Sequence, residues 1–194
     1  MRTLAARGAA PLDRRHLRQR DLVTAAAALH CIVIDASGSM ATGGRLALAK
    51  GIAAALADAA GRRRDDVAVL SFSGGRTVVH VPPGRARPGS GVRFAQLGGG
   101  GGTSLARGIA DADALLTRAA RRHPHQTRWL WLLTDGRSTQ EPGRPHAADH
   151  VHIVDLDGGR VTLGRNAALA ARWGAECHPS ADFFEDRHPR RGPG

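Results

Sequence analysis

Two aspartates and three hydroxyl side chains occupy positions where they could converge on one cation. Asp35, Ser37 and Ser39 alternate in a loop that follows an apolar run, and the small residues between them let the loop curl. Asp135 follows a second apolar run, and Thr103 comes directly after a run of glycines. If the two apolar runs are parallel strands of one sheet, ligands bind beyond their carboxyl ends. The pattern predicts a single site built from three loops.

The donor atoms of these five side chains are all oxygens, which favours a hard divalent cation. Magnesium prefers oxygen ligands in near-octahedral geometry and retains water readily, and manganese accepts a similar set. Zinc is a poor match because the set holds no imidazole and no thiolate. Five protein ligands leave room for water or one outside group, for which a carboxylate of a partner protein is the natural choice. We therefore expect Mg²⁺, or Mn²⁺, as the cofactor.

Taken singly, the same residues also fit ordinary structural roles. The segment Ser37-Gly38-Ser39 resembles a common turn, Asp135 precedes a glycine as in many loops, and Thr103 could be a helix N-cap. Their joint occurrence at the ends of predicted strands favours the metal site. We predict no catalytic residue, because the sequence identifies no histidine placed to activate either serine as a nucleophile.

Apolar runs and amphipathic stretches alternate along the chain and predict the elements that would position this site. Strands are predicted over residues 30–35, 67–72, 77–81, 129–133, 151–156 and 175–178. Helices are predicted over residues 46–57, 105–116 and 163–173. Gly61 is the expected stop of the first helix. The turn Ser73-Gly74-Gly75 makes the second and third strands a hairpin, and Pro82-Pro83 is expected to end the third strand.

This order of elements predicts an α/β fold with a doubly wound, mostly parallel central sheet, one antiparallel edge strand and helices on both faces. A chain of 194 residues that is 42% hydrophobic has enough apolar material for one such core. We expect one domain over residues 29–184, with basic tails over residues 1–28 and 185–194. No apolar run approaches the roughly 20 residues of a membrane span, and the basic start lacks a signal-peptide core. We therefore expect a cytoplasmic protein without membrane contact.

The charge of the chain is strongly positive and comes from arginine. The formal net charge is +11, and Lys50 is the single lysine. Such a surface attracts polyanions or an acidic protein. Much of the charge falls in the predicted tails and on helix faces, where solvated arginines are equally expected. RNA is therefore kept as an alternative partner, and an acidic protein is the expected one.

Three further features receive structural interpretations. Cys31 and Cys177 lack a C-x-x-C spacing and are expected to be buried free thiols. The glycines at 98–102 lack the lysine of a P-loop, so we expect no nucleotide there. Trp129 and Trp131 alternate on a predicted strand and are expected to pack under helices.

Three histidines have loosely metal-like spacing near the start of a predicted strand. They are His146, His150 and His152. We interpret them as solvated residues of a loop and strand start, with a zinc site as the alternative.

Three strings of residues resemble the metal-ion-dependent adhesion site of von Willebrand factor A-type (VWA) domains. They are Ile32–Met40 (Ile-Val-Ile-Asp-Ala-Ser-Gly-Ser-Met), Gly101–Thr103 (Gly-Gly-Thr) and Leu133–Gly136 (Leu-Thr-Asp-Gly). Within this superfamily the sequence is most similar to the C-terminal VWA domain of the magnesium chelatase D subunit and its cobalt chelatase relatives. The similarity includes Ala49-Lys50-Gly51, Val81-Pro82-Pro83 and Gly100–Ala106, and it covers roughly residues 29–184.

The resemblance implies roles for the site residues. Ser37, Ser39 and Thr103 would ligate the ion directly or nearly so, and Asp35 and Asp135 would act partly through water. It also implies a partner, because the family's D subunit forms a motor complex with an AAA+ ATPase subunit and acts on a porphyrin-binding subunit. The metal of its VWA domain is thought to engage an acidic residue of a partner.

The expected function is thus a metal-dependent protein-interaction module, as a non-catalytic subunit of an AAA+-driven magnesium or cobalt chelatase in tetrapyrrole biosynthesis. D subunits of the family also carry an AAA+-like domain and an acidic linker, which residues 2–20 are too few to supply. A free-standing VWA protein that binds RNA or another AAA+ ATPase is the alternative.

Overall fold

The computed structural model describes residues 28–86, 105–157 and 164–183. Its strands are β1 (Leu29–Asp35), β2 (Asp66–Ser73), β3 (Arg76–Arg85), β4 (Arg128–Thr134), β5 (His150–Asp155) and β6 (Glu176–Pro179). Its α-helices are α1 (Arg45–Arg63), α2 (Leu105–Arg122) and α3 (Arg165–Trp173), with short 3-10 helices at Gly38–Ala41 and Ser180–Phe183. Among the helices so described, none is both long and apolar enough to cross a membrane.

The six strands form one sheet in the order β3-β2-β1-β4-β5-β6. β1 lies at the centre and pairs in parallel with β2 and β4, so that Val33 is opposite both Leu70 and Leu132. β5 and β6 continue the sheet in parallel. β3 runs antiparallel to β2 at the edge, as the short turn predicts. The expected fold class is confirmed.

The two faces of the sheet are covered by different helices. Cys31 and Val33 of β1 face a core with residues of α2 and α3, whereas Ile32 and Ile34 face a core with residues of α1. Burial on both faces explains why β1 is apolar at every position before Asp35 except His30. The sheet is therefore doubly wound.

The strand order reverses at β1, and this reversal creates the place for a site. The chain leaves β1 through α1 to β2 and β3, then crosses by way of α2 to β4 on the opposite side of β1. When the loops that follow two adjacent parallel strands run in opposite directions, a crevice forms beyond the carboxyl ends of those strands. The crevice here lies after Asp35 and Thr134.

Several element boundaries differ from the predicted ones. α1 continues past Gly61 to Arg63, and the left-handed residue that ends it is Arg64, with φ of 62°. Its amide and that of Asp65 bond back to the carbonyls of Gly61 and Ala60, which closes the helix without a glycine. β3 also continues through Pro82, which an edge strand tolerates because its outer N–H groups need no strand partner.

The cysteines and tryptophans depart in part from their expected environments. Cys31 is buried, and this burial raises the pKa of its thiol to about 12. Cys177 is exposed on the edge strand β6, so the expectation of burial was wrong for it. Trp131 packs against the core under α1, but Trp129 lies farther towards the amino end of the sheet and stacks on His30 and His150.

Gly108 of α2 is fixed by its contact with the sheet, and Gly51 of α1 provides a matched control. A Cβ at Gly108 would lie 2.4 Å from Phe72 Cδ1, whereas a Cβ at Gly51 would meet no atom within 4 Å. Gly108→Ala should destabilise the protein by about 1–3 kcal/mol through overpacking. Gly51→Ala should stabilise it by about 0.5–1 kcal/mol through helix propensity. Urea unfolding of both variants measures this, and equal stabilities would contradict the packing of α2 on β2.

Candidate metal centre

Asp35 is the buried end of β1, and both of its carboxylate oxygens are held. The Ser37 amide donates to Oδ1 at 2.9 Å, and the Thr134 hydroxyl donates to Oδ2 at 2.8 Å. Burial raises the pKa of Asp35, and the neighbouring carboxylate of Asp135 raises it further, whereas the bonds from Ser37 and Thr134 lower it. The carboxyl group is thus fixed in position beside a second acidic group.

The loop after Asp35 turns its two serines together. Ser37 Oγ and Ser39 Oγ lie 3.1 Å apart. Gly38–Ala41 forms the first 3-10 helix, in which the Met40 amide donates a hydrogen bond to the Ser37 carbonyl. The Met40 side chain is buried and anchors this turn. The loop therefore presents two hydroxyls beside the carboxylate of Asp35.

Asp135 follows β4, directly beside β1, and one of its oxygens has no hydrogen-bond donor among the described residues. Its Oδ1 accepts the Arg137 amide at 3.1 Å. Its Oδ2 is buried, and no described residue donates a hydrogen bond to it. A buried anionic oxygen without a donor is strongly unfavourable. A divalent cation would satisfy it, and the carboxylate and hydroxyl oxygens around it are the donor set for Mg²⁺ or Mn²⁺.

Two arginines lie around the same oxygen without bonding to it. Arg45 Nη1 is 3.9 Å and Arg137 Nε is 3.7 Å from Asp135 Oδ2, beyond hydrogen-bond length. Arg45 Nη1 instead donates to the Ser39 carbonyl at 2.9 Å. Arg45 thus connects the serine loop with Asp135 and gives the rim of the site positive charge.

A second layer of polar contacts holds the β4 loop. Asn166, from the first turn of α3, donates to the Thr134 carbonyl at 3.2 Å and to Asp155 Oδ1 at 2.8 Å. Gly136 has φ of 68°, and a Cβ there would lie 2.8 Å from Asn166 Oδ1. The glycine after Asp135 is therefore required by both its backbone conformation and its close neighbour.

The structure places four of the five predicted ligands at one edge of the sheet, and Thr103 lies outside the described residues. Asp35, Ser37, Ser39 and Asp135 come together at the ends of β1 and β4, and Arg45 lies between them. Sequence reasoning missed Arg45, Arg137, Thr134 and Asn166. Asp155 was findable, because it is an acidic residue near the carboxyl end of the predicted strand 151–156.

The histidines that lie together in the structure are not the three that are close in sequence, His146, His150 and His152. His152 Nδ1 lies 2.9 Å from His178 Nε2 of β6, whereas His150 stacks on Trp129. Among the described residues, His146 belongs to no group of possible metal ligands.

A doubly wound sheet with an Asp-x-Ser-x-Ser loop after its central strand defines a class of α/β interaction domains. The sequence profile of the von Willebrand factor type A domain matches residues 31–137. The chain belongs to this family. The crystal structure of the conserved hypothetical protein BatB from Bacteroides thetaiotaomicron has the same fold, with a TM-score of 0.59 and 19% identity over 79% of this chain and 90% of that one.

Curated relatives include subunits of magnesium chelatase. The chain is 43% identical over 104 residues to the magnesium-chelatase 60 kDa subunit of Cereibacter sphaeroides, covering 54% of this chain and 18% of that protein. It is 37% identical over 121 residues to the magnesium-chelatase 67 kDa subunit of Heliobacterium mobile, covering 62% and 18%. It is also 36% identical over 154 residues to the uncharacterized protein Rv2850c of Mycobacterium tuberculosis, covering 74% and 24%. The chain spans at most about a quarter of these relatives.

If a divalent cation binds at Asp135 Oδ2, which accepts no hydrogen bond from a described residue, binding should be visible as a gain in stability. Mg²⁺ or Mn²⁺ at millimolar concentration should raise the melting temperature, by an amount equivalent to about 2.7 kcal/mol at a hundred times the Kd. Asp135→Asn should abolish this gain and should also stabilise the metal-free protein, because it removes a buried charge beside Asp35. Differential scanning calorimetry with and without EDTA measures both effects.

Asp58→Asn, on α1 and outside the site, is the control and should retain the full response to metal. An unchanged melting temperature of the original protein at 10 mM Mn²⁺, about a thousand times a 10 µM Kd, would contradict the assignment.

Proposed function

We propose that this domain is a metal-dependent protein-interaction module. It holds Mg²⁺ or Mn²⁺ with Asp35, Ser37, Ser39, Thr103 and Asp135 and uses the ion to bind an acidic side chain of a partner. The observation that carries the proposal is the buried Asp135 Oδ2, which has no donor among the described residues. The hydroxyls of Ser37 and Ser39 and the hydrogen-bonded carboxylate of Asp35 lie at the same edge of the sheet.

Each residue has a distinct part in this function. Asp35 holds the serine loop in place through the Ser37 amide and is itself fixed by Thr134. Ser37 and Ser39 offer neutral oxygens, so the site binds a dication without excess negative charge. Once bound, the ion would supply a positive centre to which a carboxylate from outside could coordinate.

The charges around the site favour an acidic partner. Arg45 and Arg137 both lie within 4 Å of Asp135 Oδ2, and the Arg137 side chain is 46% exposed. A carboxylate that approached the ion would meet the Arg137 guanidinium at the rim. Such rim charges speed encounter, and coordination to the ion supplies specificity.

The similarity to magnesium-chelatase subunits supports an AAA+ ATPase of the chelatase type as the partner. The part of this chain that matches the family model, residues 31–137, includes the five predicted ligands. In this proposal the chain is a non-catalytic, D-type component of a magnesium or cobalt chelatase in tetrapyrrole biosynthesis. A porphyrin-binding subunit would then be a further contact. The complex would act in the cytoplasm, where its ATP is available.

RNA binding is the second candidate, and the distribution of arginines favours it. Arg62 and Arg63 end α1, and Arg121 and Arg122 end α2, so these side chains lie at the edge of the sheet opposite the metal site. The helix macrodipole also favours arginines in the last turn of a helix, so their position there does not require a bound ligand. RNA held by these residues would dissociate steeply with salt and would remain bound in EDTA.

Binding to the ATPase should require the metal site. Immobilised chain should retain the chelatase-type AAA+ ATPase of the same cells in Mg²⁺ and release it in EDTA, and Asp135→Asn or Thr103→Ala should abolish retention. Arg137→Ala should weaken binding by up to about fivefold, as expected for a partly exposed ion pair.

Arg121→Ala removes an exposed arginine from the opposite edge and should leave the ATPase affinity unchanged. Retention that persists in EDTA and in both metal-site variants would overturn the adhesion mechanism. If Arg121→Ala weakened binding as much as Arg137→Ala, the contact would lie on the other edge of the sheet.

A further inference from the structure

A second group of ligand-type side chains lies on the two outer strands, β5 and β6. His152, Glu176 and His178 each offer one ligand atom, and these atoms lie within 4.8 Å of one another. In the register of the two strands, His152 is opposite Glu176 and Val154 is opposite His178. Since residues two apart on a strand share a face, all three side chains project from the same side of the sheet.

The three ligand atoms form a compact triangle. His152 Nδ1 lies 2.9 Å from His178 Nε2 and 3.6 Å from Glu176 Oε2, and His178 Nε2 lies 3.5 Å from the same oxygen. Two nitrogens bound to zinc at about 2.0–2.1 Å in tetrahedral geometry lie about 3.3 Å apart. Each observed separation is within about half an ångström of that value, so an ion would require only a small separation of the two imidazoles and rotation of the exposed Glu176 side chain.

The rings are held in place before any ion binds. His152 is buried and stacks on Trp131, with ring centroids 4.3 Å apart and planes at 16°. His178 stacks on His152 at 5.1 Å and meets the edge of Phe183. Glu176, by contrast, has a side chain that is 71% exposed and leaves the triangle open to solvent. The site therefore combines two ordered imidazoles with an accessible carboxylate.

His152 and His178 each turn one ring nitrogen towards the other. In the His152–His178 hydrogen bond one facing nitrogen carries a proton and the other accepts it. Neutral imidazole is the form that binds metals, and an ion bound by both facing nitrogens would require the facing proton to move to the other nitrogen of its own ring.

We propose that His152, His178 and Glu176 form a second metal site, which takes zinc or a similar borderline transition ion. Two nitrogens and one carboxylate oxygen match the preferences of Zn²⁺ and are a poor set for Mg²⁺, which prefers oxygen ligands. Three protein ligands leave the fourth tetrahedral position to water. The site is separate from the oxygen-rich centre at β1 and β4 in both its elements and its chemistry.

Titration of the EDTA-treated and dialysed full chain with Zn²⁺ tests the proposal, followed by Co²⁺ as a spectroscopic probe. We expect one equivalent of Zn²⁺ to bind and Co²⁺ to give the visible absorption of four-coordinate cobalt. His178→Ala and Glu176→Gln change partly or fully exposed side chains and so preserve the fold, which circular dichroism verifies. Loss of a ligand should weaken Zn²⁺ binding by at least about tenfold, since even residues that only orient ligands contribute that much.

Two controls locate the ion. His146→Ala removes an exposed histidine outside the triangle, and Asp135→Asn alters the other centre; both should bind Zn²⁺ as the original protein does. Absence of saturable binding, or equal affinity in His178→Ala, Glu176→Gln and the original protein, would overturn the site and leave a hydrogen-bonded histidine pair. Loss of zinc in Asp135→Asn alone would place the ion at the β1–β4 edge instead.

Discussion

The close approach of two buried carboxylates, Asp35 and Asp135, is the constraint on which the rest of the site depends. They end adjacent parallel strands at the centre of the sheet, and both are almost fully buried. Like charges in such a place are unfavourable unless hydrogen bonds or cations compensate them. Asp35 is compensated by an amide and a hydroxyl, whereas one oxygen of Asp135 has no described donor. Arg45 and Arg137 lie within 4 Å of that oxygen but do not form hydrogen bonds with it, and we therefore propose that a bound cation is its direct partner.

The fold supplies that arrangement and keeps it rigid. The reversal of strand order at β1 sends the loops after β1 and β4 in different directions, and the apolar cores on both faces fix the strand ends. Asn166 then connects the loop after β4 to the end of β5. Backbone and buried side chains thus hold the two carboxylates close together, and we propose that a bound cation relieves their repulsion.

Local sequence signals predicted the strands and the acidic strand ends, but not the contacts made across long separations. β1 and β4 were predictable because strands buried on both faces read as apolar runs, and Asp35 and Asp135 interrupt those runs. Arg45 reaches Asp135 across 90 positions of sequence, and no local pattern encodes that approach. The His152–His178 pair depends on the register of β5 with the short edge strand β6. Gly61 misled the prediction of the end of α1 because hydrogen bonds closed the helix at Arg64.

Diffraction from crystals grown with Mn²⁺, recorded where manganese scatters anomalously, tests the central claim most directly. The account predicts an anomalous peak at the carboxyl ends of β1 and β4, bounded by the hydroxyls of Ser37 and Ser39 and facing Asp135 Oδ2 directly or through one water. Arg45 should remain bonded to the Ser39 carbonyl. The metal site would be contradicted if no peak appeared there and an arginine side chain formed a hydrogen bond directly with Asp135 Oδ2. In that case the protein itself would satisfy the carboxylate.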